Sequence, residues 1–250
     1  MVHTKEVSPL IAFLTSSPCI YGAPRALLSP ENNFIDNLFS CLPAHPRCLF
    51  ICSAPDDPGF TDRVSREMAA AFQEAGMEFS RLYTLDRRNQ KDAQMLIWKS
   101  DFIILSGGHV PTQNAFFQEI GLREMLKNYQ GVVLGISAGT MNAAERVYAQ
   151  PEEAGESAPD FRRFLSGLGI TTVNVLPHYQ QVKDYMLDGK RLFEDVTYAD
   201  SYGENFYVFV DGTYLLIEDG QTTLYGEAYS LRDGKMEQIS KLGDIVLIDE

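Results

Sequence analysis

The stretch that most limits what this chain can fold into is Gly131-Val-Val-Leu-Gly-Ile-Ser137-Ala-Gly-Thr-Met-Asn142. Its apolar run of Val132, Val133, Leu134 and Ile136 reads as a buried strand, and residues 138–148 read as the helix that follows. Between them, Gly135-Ile-Ser-Ala-Gly139 fits G-x-S-x-G, a sharp turn that lifts a serine hydroxyl above the carboxyl end of a sheet. The spacing has a steric cause. A strand that turns directly into a helix crowds the positions two before and two after the serine, so both are best left without a side chain. The start of the helix also aims free N–H groups and a positive dipole end at the place where an oxyanion would form. The plainer reading is an ordinary strand-to-helix turn that contains glycines.

The rest of the first half supplies the sheet that such a turn needs. Residues 10–15, 47–54, 79–85 and 101–106 read as strands. They alternate with helices over 33–41, from near Thr61 to Gly76, over 90–98, and over 112–129 with a bend near Gly121. That alternation implies an α/β fold, a mostly parallel sheet flanked by helices on both faces. Ligands of such sheets bind beyond the carboxyl ends of the strands, where Gly107-Gly108 and Ser137 both fall. After Gln150 the style changes. Residues 151–160 form an acidic loop, and 171–176 a strand ending at Pro177-His178-Tyr179. Then 206–210, 214–218, 222–229 and 244–248 are short strands separated by Asp-Gly turns. These are expected as an antiparallel meander on the far edge of the same sheet. The whole chain, 1–250, is read as one α/β domain.

Composition excludes several classes of partner. A formal net charge of −13 argues against nucleic acid and against an anionic membrane surface. No run approaches the ~20 apolar residues of a membrane span. The N-terminal apolar run is too brief for a secretory leader, so the expected location is cytoplasmic. Cys19, Cys41, Cys48 and Cys52 show no disulfide-scaffold pattern. With His45 they suggest a zinc cluster, but Cys48 and Cys52 lie inside a strand, so buried free thiols are expected, with no metal and no cofactor.

A serine nucleophile needs a base, and the base an orienting acid. Of His3, His45, His109 and His178, only His178 lies downstream of Ser137, directly after a strand. The order Ser…His…Asp/Glu then offers Asp184, Asp200, Glu204 and Asp211 as acids, and Asp211 is the one that a strand end would place. Each has a bland reading: a strand-end histidine satisfied by backbone, and the first residue of an Asp-Gly turn. Ala138 N–H and an amide of Gly107 or Gly108 are the candidate oxyanion donors.

Leu105-Ser-Gly-Gly108, the serine turn with Met141-Asn142, and Pro177-His178-Tyr179 together resemble the aspartyl dipeptidase (peptidase E) and cyanophycinase family of serine peptidases, over most of the chain. The resemblance implies a fold similar to class I glutamine amidotransferases, with Ser137 as nucleophile and His178 as base. The family's acid sits in a Pro-Glu-Gly turn, matched here by Val210-Asp211-Gly212, and a second acidic position falls on Glu152. The chain departs from the family at His109, where asparagine or aspartate is usual, and at Asp211, one methylene shorter than glutamate. Gln113, Asn114, Asn142 and Tyr179 are candidate substrate-binding groups. The expected substrate is a small peptide, with aspartyl or isopeptide linkages implied by the family. The rivals are an esterase or acyltransferase using the same triad, and a catalytically idle binding module. The oligomeric state is left open, a homodimer included.

Overall fold

Five parallel strands carry the first half of the chain in a computed structural model that describes residues 10–249. They are β1 (Ile11–Thr15), β2 (Arg47–Ile51), β3 (Arg81–Leu85), β4 (Phe102–Leu105) and β5 (Val132–Ile136). β4 and β5 are buried along their whole length, as strands covered on both faces must be. The helices between them are α1 (Phe34–Ser40), α2 (Pro58–Glu74), α3 (Ala93–Lys99), α4 (Val110–Ile120) and α5 (Leu122–Leu126). Gly121, at φ 70°, takes the left-handed conformation that separates the last two, the bend the sequence announces. α2 starts a turn earlier than Thr61, because the Asp57 carboxylate caps the Phe60 amide at 2.9 Å and Pro58 fits the first helical position. His3 lies outside the described residues.

Behind the serine turn, α6 (Ala138–Ala143) is only six residues long, against the helix to Tyr148 expected from sequence. The cause lies in the segment that returns beside it. Leu168 N–H donates to Asn142 O at 2.9 Å and Ile170 N–H to Ala143 O at 2.9 Å, taking carbonyls that a longer helix would need. The chain leaves as β6 (Arg146–Tyr148), paired antiparallel with β7 (Phe164–Ser166). β8 (Asn174–Leu176) and the short α7 (Tyr179–Val182) follow, then the hairpin of β9 (Met186–Leu187) and β10 (Lys190–Arg191).

The C-terminal strands are β11 (Asn205–Phe209), β12 (Tyr214–Glu218), β13 (Gln221–Tyr225), β14 (Ala228–Arg232), β15 (Lys235–Ser240) and β16 (Ile245–Ile248). They do not form one meander. The central sheet runs β16-β13-β12-β1-β5-β4-β2-β3, so three of them extend it as antiparallel strands. The others form a second sheet, β15-β14-β11-β8, in which β8 and β11 are parallel. The expected strand 222–229 is divided at Gly226, where the chain crosses from one sheet to the other. An added Cβ there would lie 2.4 Å from Asn32 Nδ2.

Candidate active site

Register alone brings the candidate residues to one place. Thr15 lies beside Ile136 in the β1–β5 pair, and Leu105 beside Gly135 in the β4–β5 pair. Ser16 and Ser137, the next residues on their strands, and Gly107, two past Leu105, therefore emerge together at the carboxyl edge. In the second sheet Leu176 lies beside Val208, so His178 and Asp211 emerge together as well. The turn from Asp211 into β12 then joins the two edges, since Tyr214 pairs with Thr15.

Ser137 sits at φ 50°, ψ −110°, strained for a residue with a side chain, as a displayed nucleophile often is. Steric demand at the flanking positions matches the motif. A Cβ on Gly139 would stand 2.2 Å from Leu105 O, and one on Gly135 2.9 Å from Thr140 Oγ1. Gly107 passes so close that its Cβ would lie 3.4 Å from Ser137 Cβ. Gly108 has φ 151°, outside the range of ordinary residues, with Ser53 packed where its side chain would go. Ser53 Oγ donates to Gly107 O at 2.6 Å. Because C=O and N–H point opposite ways across a trans peptide, the Gly108 amide faces away from Ser53. Ala138, buried, opens α6, where amides lack intrahelical partners.

His178 Nδ1 lies 2.7 Å from Asp211 Oδ1. Burial opposes ionisation of Asp211, but the hydrogen bond and charge of His178, then Ser16 and Gln181, outweigh it and hold the carboxyl below its usual range. An ionised carboxylate only accepts, so Nδ1 carries the proton between them. Asp211 is held from several sides. Gln181 Nε2 donates to its Oδ2 at 2.7 Å, and its own amide donates to Gln180 Oε1 at 3.1 Å. Ser16, fully buried, does most to join the parts. Its Oγ donates to Asp211 Oδ1 at 2.8 Å and accepts the His178 amide at 2.8 Å, while its carbonyl accepts the Ser137 amide at 3.2 Å. Sequence reading passed over Ser16 because a lone serine after a strand carries no pattern.

Glu152 stands elsewhere, on the acidic loop. Its residue surface is exposed, yet the carboxyl end is crowded by protein. That crowding pushes it up to about 7, with His109 pulling it down, Glu156 pushing it up, and Val110 N–H and His178 pulling it down. The loop is clasped around Glu156. His109 Nε2 meets Glu156 Oε1 at 2.8 Å, Glu156 Oε2 accepts the amides of Glu152 and Glu153, and Asp188 accepts those of Gly155 and Ser157. His109, Glu153 and Glu156 are the group among the described residues whose ligand atoms could converge on a cation. The clasp already uses His109 Nε2 and both oxygens of Glu156.

Three expected substrate groups face inward instead. Gln113 and Asn142 are fully buried and Asn114 nearly so. Asn142 Nδ2 donates to Gln113 Oε1 and Val110 O, Asn114 Nδ2 donates to Asn142 Oδ1 and Ser166 O, and Gln113 Nε2 donates to Ser106 O. These amides bond one another and nearby carbonyls and so tie α4 to α6. Tyr179 is half-buried after His178, its ring against Phe193 and Tyr229. The four cysteines are free. Cys48 and Cys52 are buried, and burial raises both thiols, Cys52 to about 12.

The model of peptidase family S51 matches residues 23–225. No curated protein matches the sequence. Among solved structures, a peptidase from an acI-B1 Actinobacterium superposes with a TM-score of 0.63 at 16% identity, covering 97% of this chain and 98% of that one. A putative peptidase E protein from Listeria monocytogenes EGD-e gives 0.58 at 15% identity, covering 92% and 98%. At such identities the likeness is one of fold.

Proposed function

The chain belongs to peptidase family S51 and is a serine-type peptidase, and from that premise we propose that it hydrolyses small peptides through an acyl-enzyme on Ser137. His178 Nε2 takes the Ser137 proton as the hydroxyl attacks the carbonyl, then returns it to the leaving amine. Asp211 keeps the proton on Nδ1 and stabilises the imidazolium between these steps. The oxyanion lies between the amides of Ala138 and Gly108, with Gly107 forming the adjoining wall. Each such donor contributes about 3 kcal/mol to the transition state. Water, activated by the same imidazole, releases the acyl group.

The observation that carries this reading is the triple attachment of Ser16, which links the backbones of Ser137 and His178 and the carboxylate of Asp211. Asp211 is favoured over Glu152 as the acid by its bond to Nδ1 at 2.7 Å. The clasped 151–160 loop and its anchors support a small substrate. Aspartyl and isopeptide linkages are the first to try. The test is labelling by a fluorophosphonate, followed by a panel of Asp-X and isoaspartyl dipeptides. Labelling is expected in the unmodified chain and lost in Ser137→Ala, and labelling that survives in the variant removes Ser137 from its role.

A further inference from the structure

The central sheet ends at β16, and that edge differs from its opposite edge and from β15 of the second sheet. At the opposite end, β3 begins with exposed Arg81, and its Leu82 and Leu85 pack inward. In the second sheet, β15 shows exposed Lys235, Glu237 and Gln238. Charges of this kind are how proteins protect open ladders. β16 has no charge, proline or bulge between Ile245 and Ile248. Val246 and Ile248 pack against the core, but Ile245 and Leu247 are each 60% exposed on the other face.

The phase of the ladder fixes which backbone groups are open. Gly226 N–H donates to Asp244 O at 3.0 Å, so the pair Gly226–Asp244 is hydrogen-bonded. In an antiparallel ladder the bonded pairs alternate, which turns the polar groups of Val246 and Ile248 toward β13. The N–H and C=O of Ile245 and Leu247 therefore point outward, along the same two residues whose apolar side chains are uncovered.

We propose that β16 is a self-association strand, through which two copies of this chain join their central sheets edge to edge about a two-fold axis at Val246. In that register Ile245 faces Leu247 of the second copy, and the reverse, each pair exchanging both backbone bonds. The exposed side chains then pack across the seam as cross-strand neighbours. The seam itself carries no charge, since Ile245, Val246, Leu247 and Ile248 are all apolar, and the Asp244 carboxylate is held by its own turn through the Lys241 amide at 2.9 Å. The strand is its own complement, as an isologous interface requires.

The test is sedimentation equilibrium of the full chain from about 1 to about 500 μM, the range of modest interfaces. The unmodified chain is expected to rise to twice its monomer mass. Leu247→Lys, a change at an exposed position, is expected to weaken dimerisation at least tenfold with its thermal transition intact. If that variant unfolds early, Ile245→Lys serves the same purpose. A mixture of Ile245→Cys and Leu247→Cys chains should cross-link on oxidation, where each alone does not. A chain that stays monomeric throughout, or Lys variants that dimerise as the parent does, overturns the proposal.

Discussion

Replacing Ser16 by alanine removes one oxygen and two hydrogen bonds, which makes its effect unusually easy to reason through. The bond to Asp211 Oδ1 is to a charged acceptor, for which about 2 kcal/mol net is ordinary, and the one from the His178 amide adds about 1 kcal/mol. Gln181 still holds the other carboxylate oxygen at 2.7 Å, so Asp211 is loosened rather than stripped. If two-thirds of the ~3 kcal/mol is felt where the imidazole must be aimed, about 2 kcal/mol of transition-state stabilisation is lost, or roughly 30-fold in rate. The remainder appears as reduced stability.

The assay needs no knowledge of the substrate: the second-order rate of fluorophosphonate labelling reports how well Ser137 is activated. Ser16→Ala should label about 30-fold more slowly. A merely structural serine could slow labelling too, so the deciding measurement is a double-mutant cycle with Asp211→Asn. If Ser16 acts through Asp211, Ser16→Ala adds little once Asp211 is already Asn, and the two losses are far from additive. Labelling within twofold of the parent, or a cycle whose losses simply add, refutes the positioning role.

Four further outcomes are expected. Asp211→Asn should lower labelling by about 10³ or more, because the amide favours the wrong imidazole tautomer, whereas Glu152→Gln should cost less than about tenfold; the same rate constant separates the two acids. Glu152 sits above its ordinary 4.5 at about 7 in the fold, so its ionisation opposes folding: the cost is absent below the lower value and fully present above the upper one. Thermal unfolding should then show Glu152→Gln gaining stability over the parent near pH 8 and not near pH 4. Asn142→Ala leaves Gln113 Oε1 and an Asn114 donor bond unanswered in a closed interior and should cost about 2–4 kcal/mol in urea titrations, with KM of the folded fraction unchanged. Gly139→Ala drives a methyl into the Leu105 carbonyl and should give little soluble, folded chain in a solubility and circular-dichroism comparison.

How much of this was legible beforehand depends on the range of the interaction. The parallel strands, the bend at Gly121 and the serine turn are local, set by runs of apolar residues and by glycines that a neighbour would otherwise strike. His178 and Asp211 were legible because each follows a strand, even though the sheet that carries them was misassigned. What stayed hidden is long-range. The 168–170 segment that ends α6 acts through backbone donors, which any residue type supplies except proline. Gln113, Asn114 and Asn142 look like pocket residues by type, and only burial reveals that they bind one another.

The site depends on two registers more than on any single residue. Ser137 and Ser16 are neighbours because β1 and β5 run parallel with Thr15 beside Ile136, and His178 and Asp211 because β8 and β11 run parallel with Leu176 beside Val208. A slip of one residue in either pair would turn the side chains to the opposite face and separate the groups. The Asp211-Gly212-Thr213 turn carries β11 into β12, the strand beside β1, and there Gly212 N–H donates to Ser17 O and Ser16 N–H to Thr213 O. Gly212 has φ 89° there, with Glu31 Oε2 2.4 Å from where a Cβ would stand. A side chain at Gly212 would be strained at that φ and would displace Glu31, so the turn that carries Asp211 would shift against a nucleophile whose own strand had not. Activity would be lost with the elbow, the imidazole and the carboxylate all still present, because alignment between two sheets is what the turn supplies.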